Sequence, residues 1–119
     1  MAEIDVEVLG AGFIATSQGN ATFFTLKMVE SGGVGANINF IRIDLFTATG
    51  EFQERAEHGP AVIANATGSS RLEANETREM SPPFFFRATV KSGRLVTLTV
   101  GFTDDFGNDI EWSSNFVFP

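Results

Sequence analysis

Along most of the chain, apolar and polar side chains alternate with period two, and almost nowhere with the spacing of a helix. Ile4, Val6 and Val8 alternate with Asp5 and Glu7. Phe24, Leu26 and Met28 alternate with Thr25 and Lys27, and Ile41, Ile43 and Leu45 with Arg42 and Asp44. Further on, Phe84, Phe86, Ala88 and Val90 alternate with Phe85, Arg87 and Thr89. Val96, Leu98, Val100 and Phe102 then alternate with Thr97 and Thr99. Finally Ile110, Trp112 and Phe116 alternate with Glu111, Ser113 and Asn115. A strand buried on one face belongs to an antiparallel sheet, since parallel strands are apolar on both faces.

Chain breakers separate these runs: Gly10-Ala11-Gly12, Gly19-Asn20, the glycines at 32, 33 and 35, Gly50, Gly59-Pro60, Pro82-Pro83, Gly93 and Gly107-Asn108. With weaker strand candidates near Phe52–Arg55 and Ala61–Ala64, the pattern predicts about seven short strands. The expected fold is all-β, an antiparallel two-sheet sandwich of immunoglobulin-like or fibronectin III-like type, with residues 1–119 forming one domain.

Composition narrows the partners. Fifteen acidic residues against eight scattered basic ones give a net charge of −7, which argues against nucleic acid and against an anionic membrane surface. No apolar run is long enough to span a membrane. The absence of cysteine removes disulfides and thiolate zinc sites. The N-terminus lacks the apolar core of a signal peptide, and the chain begins and ends in strand-like segments. These features predict a domain excised from a longer secreted protein, placed outside the cell or at its surface.

Several motifs invite a chemical reading. Gly10-Ala11-Gly12-Phe13-Ile14-Ala15 matches a dinucleotide fingerprint, but Thr16-Ser17-Gln18-Gly19-Asn20 follows where a phosphate-binding helix must begin, so a loop is expected. Ser31-Gly32-Gly33-Val34-Gly35 resembles a phosphate cradle without the Lys and Ser/Thr that would complete it, and reads as an interstrand loop. The single histidine, His58, next to Gly59-Pro60, is expected to be an exposed turn residue. With one histidine and no nucleophile elbow, no catalytic residue can be named, and the expected protein is not an enzyme.

The Asp104-Asp105-Phe106-Gly107-Asn108-Asp109 stretch has two readings. Its residues suit a tight hairpin turn, and the oxygens of Asp104, Asp105, Asn108 and Asp109 would also suit calcium, the one cofactor considered. Three Asn-x-Thr sequons, at Asn20, Asn65 and Asn75, are candidate glycosylation sites. The thirteen phenylalanines lack the polar handle that sugar-binding and interface surfaces favour, and belong mostly in a core. Trp112 is in phase with the inward positions of its strand. Phe85, between Phe84 and Phe86, must point the other way, toward solvent or an intermodule contact.

The stretches Leu72-Glu73-Ala74-Asn75-Glu76, Phe84 to Val90, Gly93, and Val96 to Asn108 resemble the immunoglobulin-like modules of prokaryotic surface proteins, including S-layer-related and CARDB-like adhesion domains. The resemblance covers residues 70–118, with Asn75 at a usual glycine and Phe102 at a usual tyrosine. It implies a spacer, adhesion unit or assembly contact without catalytic residues. The expected function is therefore a non-catalytic extracellular structural or adhesion module whose partners are other protein domains or copies of itself. Two alternatives stand beside it: a self-assembling filament or surface-layer subunit that pairs its edge strand Phe116-Val117-Phe118 with a neighbour, and a calcium-dependent carbohydrate-binding module.

Overall fold

The computed structural model describes residues 1–119 as two antiparallel sheets packed face to face. In chain order the elements are β1 (Ile4–Thr16), β2 (Gly19–Glu30), β3 (Ala36–Phe46), β4 (Phe52–His58), α1 (Pro60–Thr67), β5 (Arg71–Leu72), β6 (Thr77–Met80), β7 (Pro83–Phe86), β8 (Leu95–Asp104) and β9 (Asp109–Val117). There are thus nine strands where about seven were expected. One sheet runs β1-β2-β6, with β7 also on β2; the other runs β4-β3-β8-β9, with the short β5 on β3. Three strand positions against four, in this order, is the fibronectin III-like arrangement of a sandwich.

Part of the higher count comes from proline. β6 pairs with Leu26–Val29 and β7 with Asn20–Phe23, so the two lie end to end along one side of β2. Pro82 stands between them and cannot donate to a ladder. The alternation of Phe84 to Val90 outlasts its strand, because β7 ends at Phe86. The next two amides, of Arg87 and Ala88, donate to the Glu54 carboxylate on β4 at 3.0 and 2.9 Å.

Three local expectations are corrected. Gly10-Ala11-Gly12 is not a loop: β1 continues through it to Thr16, with a bulge between Val8 and Gly10, and turns at Ser17-Gln18 into β2. Ala61–Ala64 is not a strand but part of α1. Pro60 supplies a pre-set φ at the helix start, and Gly68, at φ 93°, ends it by donating to the Ala64 carbonyl. His58 is not in an exposed turn. It is half-buried at the end of β4, its ring stacked on Phe84 at 4.1 Å and Nε2 against the Pro83 carbonyl, so it joins the two sheets.

The core is built from the inward phase of each alternation: Phe24, Leu26 and Met28; Ile41, Ile43 and Leu45; Val96, Leu98, Val100 and Phe102. A bulge between Ile38 and Phe40 lets Ile38 and Ile41 both face inward. Phe24 is fully buried and meets Phe84, Phe116 and Phe118 at centroid distances of 5.9, 5.5 and 5.6 Å, which ties β2 to β9 across the sandwich. Trp112 packs with Ile110 and Phe116 against this core, half-buried.

Phe24→Ala should therefore cost ~3–5 kcal/mol in urea denaturation. Phe106→Ala, at a side chain 75% exposed, should stay within about 0.5 kcal/mol of the parent.

Candidate functional site

Two motifs singled out in the sequence, the glycine-rich loop and the acidic turn, meet at one end of the sandwich together with the sequon residue Asn75. The loop Ser31–Gly35, the turn around Asn75, the β8–β9 turn and the N-terminal residues Ala2-Glu3 are bonded to one another there. Ser31 N–H donates to the Glu3 carbonyl at 2.9 Å, Glu30 N–H to Glu76 at 2.9 Å, and Asp105 N–H to Gly35 at 3.0 Å.

The apparent phosphate cradle is an amide nest filled by the chain's own carboxylate. Glu30, at the end of β2 and 1% exposed, accepts at Oε1 the N–H groups of Gly33 (2.7 Å), Val34 (3.1 Å) and Asn75 (3.0 Å). Its Oε2 accepts those of Gly32 (2.7 Å) and Glu3 (3.0 Å). Burial alone would raise its pKa, but the amides of Asn75, Glu3, Gly32 and Gly33 outweigh it and hold the group at about 2, against an ordinary 4.5. Asn75 stands at φ 60°, a left-handed conformation that asparagine tolerates, and this aims its amide at Glu30.

The acidic turn is likewise occupied internally. Asp104, 4% exposed, accepts the amides of Phe106 (3.0 Å), Asn108 (2.9 Å) and Ala2 (2.9 Å), and the Asn108 side chain reaches both its oxygens. Burial opposes ionisation here too, but the donors from Asn108, Ala2 and Phe106 bring the pKa down to about 2. Asp105 forms a two-point pair with Arg71, Nη1 to Oδ1 at 2.9 Å and Nη2 to Oδ2 at 2.7 Å, and that hydrogen bonding holds its carboxyl below the usual range against the effect of burial. Gly35 lies beneath this pair, and a Cβ there would strike the guanidinium. Asp109 accepts from Thr103 Oγ1 at 2.8 Å on the outer face of the β4-β3-β8-β9 sheet. The carboxylates considered for calcium are therefore divided among separate protein donors, with the Asn108 side chain itself donating to Asp104, and no group of three His, Cys, Asp or Glu side chains converges on a metal position.

Of the sequon residues, Asn20 is inside: it is 4% exposed and its Nδ2, the atom a glycan would use, donates to the Ala88 carbonyl at 2.9 Å. That corrects its candidacy. Asn65, on α1, and Asn75 are exposed. A depression of about 420 Å³ on the outer face of the β4-β3-β8-β9 sheet is lined by Asn39, Phe40, Gly101, Asp109 and Glu111. Phe40 lies against Gly101, and Arg42, paired with Glu57, sits 4.4 Å from its ring centre.

The outer face of the other sheet carries a feature the sequence showed only in part. Phe85 points outward as expected, directly beside Ala21, which pairs with Ile14 across β1. The next row is Pro83, Phe23 and Gly12. Ile14, Phe23 and Phe85 are 58%, 41% and 48% exposed, so an apolar patch spans three strands. Further along the same face the rows become polar, with Lys27 between Glu7 and Glu79.

No protein-family model matches the chain, and a search of curated proteins returns no match. Among solved structures the fold is similar to a Bordetella pertussis protein given the name ApaA, with a TM-score of 0.68, 12% identity, and coverage of 98% of this chain and 93% of that one. It is also similar to the structural-genomics target SoR45, with a TM-score of 0.68, 14% identity, and coverage of 98% and 87%. At these identities the likeness establishes the fold alone.

The two lowered carboxyl groups set an acid limit. Their stabilising contribution is full above their unfolded values of 4.5 and 3.8 and is lost as pH falls toward about 2. Melting temperature should therefore drop steeply between pH 5 and pH 2. Glu30→Gln should lower it by about 10 °C at neutral pH and flatten the acid slope. At neutral pH, millimolar calcium and a chelator should give the same melting temperature; a rise with calcium would contradict the internal bonding of Asp104 and Asp105.

Proposed function

We propose that this chain is a non-catalytic docking module that holds or spaces another protein domain at a cell surface. The observation that supports this reading best is the patch formed by Ile14, Phe23 and Phe85 on a rigid sheet face. Aromatic side chains held outward in cross-strand register offer apolar area at little entropic cost, which suits a protein partner with a flat apolar surface. The ionisable groups offer little to a reaction by comparison. Glu30 and Asp104 are buried and bonded to backbone amides, and Asp105 is paired with Arg71. The acidic surface and the exposed sequon residues Asn65 and Asn75 fit an extracellular setting.

The two alternatives draw less from the structure. Phe116 and Phe118, expected to serve an edge-pairing C-terminal strand, pack against Phe24, leaving Val117 as the outward side chain. Trp112 faces the core and offers no open platform to a sugar.

Photo-crosslinking in the source cell tests the docking reading. A benzophenone side chain at Phe85 should yield adducts with one discrete protein, and the same group at Ser113, on the opposite sheet's outer face, should not. Equal labelling from both positions, or none from Phe85, would contradict it.

A further inference from the structure

β1 is a sheet edge: it pairs with β2 alone, and its other side is free. Natural edge strands are guarded by Lys, Pro, inward charges or shortness. β1 is 13 residues long, and from Val8 to Thr16 it carries no charged residue and no proline. Its acids, Asp5 and Glu7, are confined to one end, and its one bulge precedes Gly10. From Gly10 to Thr16 the strand is regular, in unbroken register with β2.

We propose that β1 pairs with β1 of a second copy, antiparallel across a two-fold axis at Gly12. This goes beyond the docking of another domain: it uses the strand edge and shares only Ile14 with the docking patch.

The sequence of β1 is complementary to itself in that register. Ile14 falls beside Gly10 of the second copy, on the outer face, where nothing lies within 4 Å of a Cβ built on Gly10. Phe13 falls beside Ala11 on the inner face, so here too a large side chain meets a small one. The matched segment runs from Gly10 to Ile14 on each copy, where β1 is regular, and it ends at the bulge before Gly10. Glu7 and Asp5 lie beyond the bulge, and the paired segment itself carries no carboxylate. A two-fold contact is isologous, and only a segment whose two halves fit each other can form one. Pairing would also join the two β1-β2-β6 sheets and bring both apolar patches onto one surface.

The cysteine-free chain makes the test direct. Gly12 has open space around a built Cβ and no left-handed φ, so Gly12→Cys should fold normally. Directly opposed positions on antiparallel strands lie within disulfide reach. Mild oxidation of this variant should give an intermolecular disulfide, while Ser113→Cys should stay reduced. Light scattering of the parent should show a species of twice the 12.9 kDa chain mass that forms more readily as salt screens the −7 charge on each copy. Ile14→Lys should return the protein to monomer with its melting temperature little changed, and Phe85→Ser should leave the dimer intact. A parent that stays monomeric through the millimolar range would overturn the proposal. So would a dimer that survives Ile14→Lys and leaves Gly12→Cys unlinked. A dimer that behaves as stated, with no adduct formed from Phe85, would count against the docking reading alone.

Discussion

The Glu30 carboxylate is the point on which one end of this fold depends. Five backbone N–H groups from three separate segments converge on its two oxygens: the N-terminal Glu3, the loop Gly32–Val34, and Asn75 before β6. None of those amides has a strand partner in this role, and even a part-buried N–H left without an acceptor carries a desolvation cost. A charged acceptor at their centre satisfies all of them at once and fixes where β1 begins, how β2 turns into β3, and where β6 starts. A glycine-rich loop held this way has no room for a phosphate, because its anion is already supplied by the chain.

Asp104 does the same for the neighbouring hairpin. It closes the β8–β9 turn through Phe106 and Asn108 and reaches across to the Ala2 amide. The Arg71–Asp105 pair then lies over Gly35, so the loop held by Glu30 and the turn held by Asp104 are joined. Beyond this polar end, the remaining stability rests on the aromatic packing around Phe24 and on the His58–Phe84 stack that joins β4 to β7. The apolar patch and the free edge of β1 stand on the rigid frame that results, which is where a surface for binding is best presented.

Much of the sandwich was legible in the sequence because one face of each strand is buried and period-two alternation records that directly. The inward residues of β2, β3, β8 and β9 are the ones the alternation marks, and Phe85 faces outward as its position demands. Other features escaped for definable reasons. The helix at Pro60–Thr67 buries only Ile63, so its pattern gave no helical period, although Pro60 and Gly68 bracket it. Gly10-Ala11-Gly12 looks like a break because glycine carries no alternation signal, yet β2 holds that segment in register. The roles of Glu30 and Asp104 do leave a signal in the sequence: each continues the inward phase of its strand, Glu30 after Phe24, Leu26 and Met28, and Asp104 after Val100 and Phe102. An acid in a buried phase needs donors, and glycine-rich and Asx-containing turns nearby supply them. The partners across strands, such as Phe23 beside Pro83, depend on register between distant segments and were not readable locally.

The most direct test of this account is an NMR titration of the Glu30 carboxyl carbon together with the amides of Gly32, Gly33, Val34 and Asn75. The carboxyl should titrate near 2, the four amides should shift with it, and inorganic phosphate at neutral pH should leave them unmoved. A carboxyl titrating near its ordinary 4.5, or amides that respond to phosphate, would show that the nest is open and that the clamp described here does not hold the end of the sandwich.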